Sequence, residues 1–164
     1  VEGNRENRSM SRDGTFSKDL SSDADLDRRL LAMVTRVAHD LRSGGLTART
    51  VCVKLRDYDF KTRSARRTLS APVVSDRPIL ETARELLAKL RKARRVPARL
   101  LGVSLSHLED DPLADQLALF EAEKSPSIES DKDRGLARAI DKVRKKYGDK
   151  AVVPAALVRK EARP

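Results

Sequence analysis

The sequence contains few residues of the kinds that cross-link chains or stack against bases. Cys52 is its single cysteine, so an intrachain disulfide is excluded and a reducing, cytoplasmic compartment fits. Tryptophan is absent and only 3% of the residues are aromatic, which predicts an aliphatic core and argues against a large aromatic platform for bases. No apolar run reaches membrane-spanning length, so we expect no membrane partner.

Positive charge is what the chain has in excess. Its 164 residues, enough for one modest domain with appendages, include 35 Lys or Arg against 25 Asp or Glu, a formal net charge of +10. A balance this basic favours a polyanionic partner, and nucleic acid is the commonest. Because aromatic residues are scarce, contacts to phosphates should dominate the binding.

Apolar periodicity predicts an α+β domain over residues 8–108, which follows a polar linker at 1–7. The predicted strands cover 8–16, 47–56, 62–69 and 98–106, and the predicted helices cover about 23–43 and a second segment that opens at Asp76 and ends before Pro97. The order β-α-β-β-α-β predicts a four-stranded antiparallel sheet with two helices on one face.

The opposite face of that sheet is predicted to be polar. It combines small hydroxyls with long cations, carried by Ser9, Ser11, Thr50, Lys54, Arg56, Ser64, Arg66, Thr68, Ser104 and Ser106. Between Arg49 and Arg67 there are seven Lys or Arg but only two Asp. A solvated edge hairpin would also be polar, but this charge bias favours a phosphate-binding surface.

Beyond Leu108 the composition becomes acidic and polar, which predicts a flexible tether over 109–132. Within it lies the apolar run QLALF, formed by Gln116, Leu117, Ala118, Leu119 and Phe120. This pentapeptide resembles the sliding-clamp-binding motif of bacterial replication and repair proteins, in which the Gln bonds at the pocket rim while the Leu and Phe fill an apolar cleft. The alternative is that these residues end the last apolar element of the domain.

Residues 133–164 form a predicted helical tail. Leu136, Ile140, Val143 and Tyr147 recur at helical spacing, which predicts a short helix over about 133–147 that Gly148 stops. A helix of this length is marginal alone in water, so it must dock, fray or serve as a further contact segment.

Four stretches resemble one family when they are taken in order. SMSRDGTF, RTVCVKLRDYDF, TRSARRTL and ARLLGVSLSHL are similar to the strands of the little finger, the C-terminal DNA-binding domain of Y-family DNA polymerases. The bacterial polymerase IV branch of that family is the most similar. Residues 5–108 carry the resemblance, and QLALF with the basic tail extends it.

The resemblance implies that the sheet grips double-stranded or primer-template DNA for translesion synthesis and that QLALF recruits a bacterial sliding clamp. It carries DNA-contacting positions over to the polar residues named above and adds Arg63. Ser11 stands where the family often has Gly, and the register of the third strand leaves open which of Arg66 and Arg67 faces DNA.

Catalysis and cofactors are not expected in this chain itself. Its carboxylates lie mostly in caps, turns and linkers, so we expect no metal, and magnesium only in the absent catalytic part of a polymerase parent. We expect a monomer. Two alternatives remain open, the C-terminal part of a catalytically inactive adaptor of a mutagenesis complex and a generic basic α+β RNA-binding protein.

Overall fold

The computed structural model describes residues 9–112 and 128–158. Its elements are β1 (Ser9–Leu20), α1 (Asp23–Ser43), β2 (Leu46–Asp57), β3 (Thr62–Val73), α2 (Asp76–Ala93), β4 (Ala98–Asp110), α3 (Asp131–Tyr147) and a short 3-10 turn (Ala155–Leu157). The predicted α+β order is confirmed, and β1, β3 and β4 each run four residues further than the sequence pattern indicated.

The four strands form one antiparallel sheet in the order β1-β4-β2-β3. Helices α1 and α2 cover one face, where alternate residues of the central strands meet the apolar sides of the helices. The fully buried centre is aliphatic and includes Leu26, Leu30, Val34, Val51, Val53, Leu55, Ile79, Leu101 and Leu105. Burying this apolar face fixes the register, because a one-residue slip would turn it to solvent.

Local signals explain where the helices begin and end. The Ser22 hydroxyl accepts a hydrogen bond from the Asp25 amide at the start of α1, and Asp23 and Asp25 lie in its positive first turn. The helix ends at Gly44-Gly45, where Gly45 adopts a φ of 64°. Helix α2 begins with Asp76 and contains Pro78 in its first turn.

Helix α3 docks on the domain through its charged side. Asp133 accepts from Arg77 of α2 at 2.6 Å, and Asp141 accepts from Arg42 of α1 at 2.6 Å. Most of the predicted apolar side faces solvent, since Leu136 is 63% exposed and Tyr147 is 68% exposed, while Ile140 is half-buried. The orientation follows from what α1 and α2 present here, which is arginine, so the carboxylates of α3 turn toward it.

The segment before α3 is also held against the domain. Glu129 is only 2% exposed and accepts from the backbone amides of Val74 and Ser75. Arg134 donates to both Glu129 and Asp111, so it ties the end of β4 to the start of the tail. The sequence pattern predicted a flexible tether through residue 132, but the chain is held in place at Glu129. Its buried carboxylate is bonded to the backbone at the start of α2.

The clamp-motif residues Gln116, Leu117, Leu119 and Phe120 lie outside the described residues. No helix in the described part of the chain is long and apolar enough to cross a membrane.

Candidate nucleic-acid interface

The sheet register places polar residues in four cross-strand rows on the face away from α1 and α2, here called the polar face. In the strand order β1, β4, β2, β3 the rows are Ser9–Ser106–Thr50–Thr68, Ser11–Ser104–Cys52–Arg66, Asp13–Gly102–Lys54–Ser64 and Thr15–Leu100–Arg56–Thr62. Side chains directly opposite in an antiparallel pair lie on the same face. The ten residues predicted from alternation therefore share one surface.

Arg63 lies on the other face. It stands opposite Leu55 and donates to Asp57 at 2.8 Å and to the carbonyl oxygens of Leu90 and Arg94 at the end of α2. The family resemblance placed it among the DNA contacts, but strand alternation turns it toward the helices, where it caps the last carbonyls of α2. We leave it out of the interface.

The register also separates Arg66 from Arg67. Arg66 pairs with Cys52 on the polar face, whereas Arg67 pairs with Val51 and forms an ion pair with Glu85 of α2. Arg66 is thus the DNA-facing candidate of the two.

The three cations of the polar face are half-exposed or exposed and only lightly engaged. The Lys54 ammonium lies 3.2 Å from Asp13 in the same row, and the Arg56 guanidinium donates to the Thr62 hydroxyl at 3.0 Å. Arg66 is exposed. Within the four rows Asp13 is the only carboxylate, so the face keeps a positive charge that phosphates can neutralise.

Arginines on the helix side are better neutralised. Arg84 makes two hydrogen bonds to Asp27, Arg91 pairs with Asp23, and Arg77 with Asp133. Hydrogen bonds from Arg77 hold the pKa of Asp133 well below its usual range, so that pair stays fully charged at neutral pH. The polar face therefore brings lightly engaged cations and hydroxyl groups together on one surface.

The centre of the polar face is shallow. A Cβ at Gly102 would lie 2.9 Å from the Cβ of Asp13, which leaves no room for a side chain there. Ser104 and Ser106 continue this row of small residues along β4. Lys54 lies beside this shallow strip and Arg66 lies one strand further away, so a phosphate backbone can come close to the sheet and still reach both cations.

Thr50 belongs to the face but is only 3% exposed. Its hydroxyl is hydrogen-bonded to Thr68 at 2.9 Å and to the His107 ring at 2.8 Å. Thr50 therefore orients its neighbours and is not itself open to a ligand.

Asp57 is a residue whose role sequence reasoning missed. It is the last residue of β2, is fully buried, and accepts hydrogen bonds from both Arg63 and Arg94. Arg94 also binds Asp59 and lowers the pKa of that carboxyl to about 2. No local pattern indicates this cluster, since its arginines come from β3 and from the residue after α2.

The described residues form no metal-binding cluster. Among residues 9–112 and 128–158, no group of three or more His, Cys, Asp or Glu side chains could hold an ion.

The fold defines a class, that of the little finger domains of Y-family DNA polymerases. A solved complex of the β-clamp processivity factor with the little finger domain of PolIV has a TM-score of 0.51 at 15% identity, covering 74% of this chain and 98% of that one. An insertion ternary complex of Dbh DNA polymerase has a TM-score of 0.55 at 16% identity, covering 60% of this chain and 28% of that one. At these identities the likeness defines the fold alone.

The chain belongs to the impB/mucB/samB family C-terminal domain, whose model matches residues 7–119. Similar curated relatives include DNA polymerase IV of Caulobacter vibrioides, 33% identical over 153 residues that cover 93% of this chain and 36% of the relative. DNA polymerase IV of Gluconobacter oxydans is 39% identical over 120 residues that cover 71% of this chain and 33% of the relative. The chain thus spans about a third of the length of these relatives.

Proposed function

We propose that this chain grips double-stranded or primer-template DNA through its polar face and recruits a translesion polymerase of the polymerase IV type to the sliding clamp. The observation that carries the proposal is the register, which puts Lys54, Arg56 and Arg66 with a set of hydroxyls on one shallow surface. Cations and hydroxyls bind phosphate oxygens without reading bases, so the grip is independent of sequence.

Polymerisation would belong to the part of the parent protein outside this chain. The relatives named above are DNA polymerases, and two magnesium ions held by clustered carboxylates are what such a reaction needs. In this account the chain is a monomeric binding module of the bacterial cytoplasm. The adaptor and RNA-binding alternatives have no comparable support among these relatives.

Clamp recruitment rests on Gln116, Leu117, Leu119 and Phe120, in the run QLALF. A clamp encircling DNA and a sheet lying on DNA hold the same duplex. Each contact therefore raises the effective concentration of the other, and two weak grips give stable attachment.

The DNA grip is tested with a pair of double variants matched in charge. Lys54→Ala with Arg56→Ala removes one Lys and one Arg from the polar face, and Lys89→Ala with Arg84→Ala removes the same charges from the exposed side of α2. Fluorescence anisotropy with primer-template DNA should show a loss of about tenfold or more for the first pair, for every sequence, and little change for the second. Equal losses would mean that net charge, not the polar face, holds the DNA.

The clamp contact is tested by calorimetric titration of the chain with a bacterial sliding clamp, beside a variant with Leu119→Ala and Phe120→Ala. If the parent binds the clamp and the variant does not, the motif is supported. The two chains should bind DNA equally well. If neither chain binds the clamp, QLALF is an ordinary apolar segment.

A further inference from the structure

The β2–β3 turn carries an exposed aromatic tip, defined here as Tyr58 and Phe60. Tyr58 is 48% exposed and Phe60 is 63% exposed. The whole chain has only two Tyr and three Phe, so two of its five aromatic side chains stand in solvent at one turn. A sequence this poor in aromatic residues gains no core stability from placing them there.

The tip is built rigidly. The Phe60 amide donates to the Asp57 carbonyl, the Asp57 amide to the Lys61 carbonyl, and the Tyr58 amide to the Pro97 carbonyl, all at 2.9 Å. Phe60 has a φ of 65°, a conformation that non-glycine residues rarely adopt and that the surrounding bonds must enforce.

Side-chain bonds fix the base of the same turn. The fully buried carboxylate of Asp57 is held by Arg63 and Arg94, and Arg94 reaches across to Asp59. Both acidic groups of the turn are therefore neutralised by arginine. The groups left exposed at the turn are the two aromatic rings and the Lys61 ammonium.

The cations lie where a nucleotide would need them. The Arg99 guanidinium lies over the Phe60 ring, 4.5 Å from its centroid, and its Nε also pairs with Asp19 at 3.2 Å. Lys61 is exposed in the same turn. The turn directly follows the row of Arg56 and Thr62, so the tip continues the polar face at one end. An aromatic ring next to arginine and lysine suits a base with its phosphate, because the ring stacks and the cations bind the anion.

We propose that this tip stacks an unpaired base of the single-stranded template where it leaves the duplex. The inference deepens the proposed function and rests on it, since the polar face must first position the duplex. Docking of the tip on another protein surface is the competing outcome, and the net positive charge around it favours nucleic acid.

The test compares a blunt duplex with the same duplex bearing a 5′ single-stranded overhang, using the whole chain. A 2-aminopurine placed in the overhang reports stacking through quenching of its fluorescence. We expect the chain to bind the overhang DNA about tenfold more tightly than the blunt duplex and to quench the probe. Tyr58→Leu with Phe60→Leu should abolish the preference and the quenching while leaving blunt-duplex binding unchanged.

Tyr147→Leu is the control, because it removes an aromatic ring that is more exposed than either tip residue but lies on α3. It should keep the overhang preference. If the parent binds both DNAs equally, or leaves the 2-aminopurine unquenched, the stacking proposal is overturned while the DNA grip stands. These two results come from the parent chain, so they decide the matter even if the double variant folds poorly. Failure of the parent to bind either DNA overturns the proposed function together with this one.

Discussion

Arg66 lies directly opposite Cys52 in the β2–β3 register, and its neighbour Arg67 lies opposite Val51 on the other side of the sheet. The two adjacent arginines thus provide a comparison within one strand. Arg66→Ala should weaken binding to any duplex about five- to tenfold and reduce the salt slope by about one unit, because one phosphate contact is lost. Arg67→Ala should leave DNA affinity nearly unchanged, since it removes only an exposed pair with Glu85. Anisotropy titrations at several salt concentrations measure both, and a larger loss for Arg67→Ala would contradict the assigned face.

Asp13 opposes DNA binding in this account. It is the carboxylate of the third row and lies 3.2 Å from the Lys54 ammonium. It therefore repels phosphate and also competes with phosphate for Lys54. Asp13→Asn keeps the shape and removes the charge, and we expect DNA affinity to rise by up to about fivefold at low salt. The gain should shrink as salt is added. Unchanged or weaker binding at low salt would show that Asp13 lies away from the DNA.

Two glycines should respond to alanine with opposite signs. A Cβ added at Gly102 would lie 2.9 Å from the Cβ of Asp13, whereas a Cβ added at Gly135 on α3 would meet no side chain or other element within 4 Å. Gly102→Ala should lower the free energy of unfolding by about 1–3 kcal/mol through forced separation of β1 and β4. Gly135→Ala should raise helix stability by about 0.5–1 kcal/mol. Urea unfolding followed by circular dichroism measures each, and the same sign for both would count against the close packing at Gly102.

Acid should release α3 from the domain. Burial disfavours the charged form of Asp141, but hydrogen bonds from Arg42 and His39 outweigh it and keep the pKa of Asp141 below its ordinary value. A carboxyl whose pKa is lowered on folding contributes stability above its unfolded pKa and loses it as pH falls through the folded value. The contribution of the ionised Asp141 carboxylate should therefore persist down to about pH 4 and be lost below it.

Amide chemical shifts of α3, including that of the buried Ala137, would report this release by NMR. Asp141→Asn with Asp133→Asn should detach the helix already at neutral pH, because both arginine contacts of α3 are weakened. A helix that stays docked in this double variant would show that its few apolar contacts, not its carboxylates, hold it.

Much of the fold could be predicted because its signals are local. The i, i+4 apolar spacing of α1 and its glycine stop give the helix its observed bounds, Asp23–Ser43. The polar face was predictable for the same reason, since alternation with period two assigns Thr50, Lys54 and Arg56 to one side without knowledge of any partner strand.

The remaining features depend on contacts between distant parts of the chain. Arg63 turns to the helices and finds Asp57 and the end of α2, an arrangement that only the packed domain defines. Likewise the periodicity of α3 predicted a helix but left open whether it docks, whereas Arg42 and Arg77 bind its carboxylates in the folded chain. Pairing of charges between elements far apart in sequence leaves no periodic signal.

The most direct test of the central claim is the salt dependence of binding to two primer-template DNAs of unrelated sequence. Three cations lie on the polar face, Lys54, Arg56 and Arg66. The account predicts equal affinities for the two DNAs and a log–log slope against salt of about −3, close to 0.9 per phosphate neutralised. A slope near zero, or a strong preference for one sequence, would contradict a grip on the DNA backbone by this face.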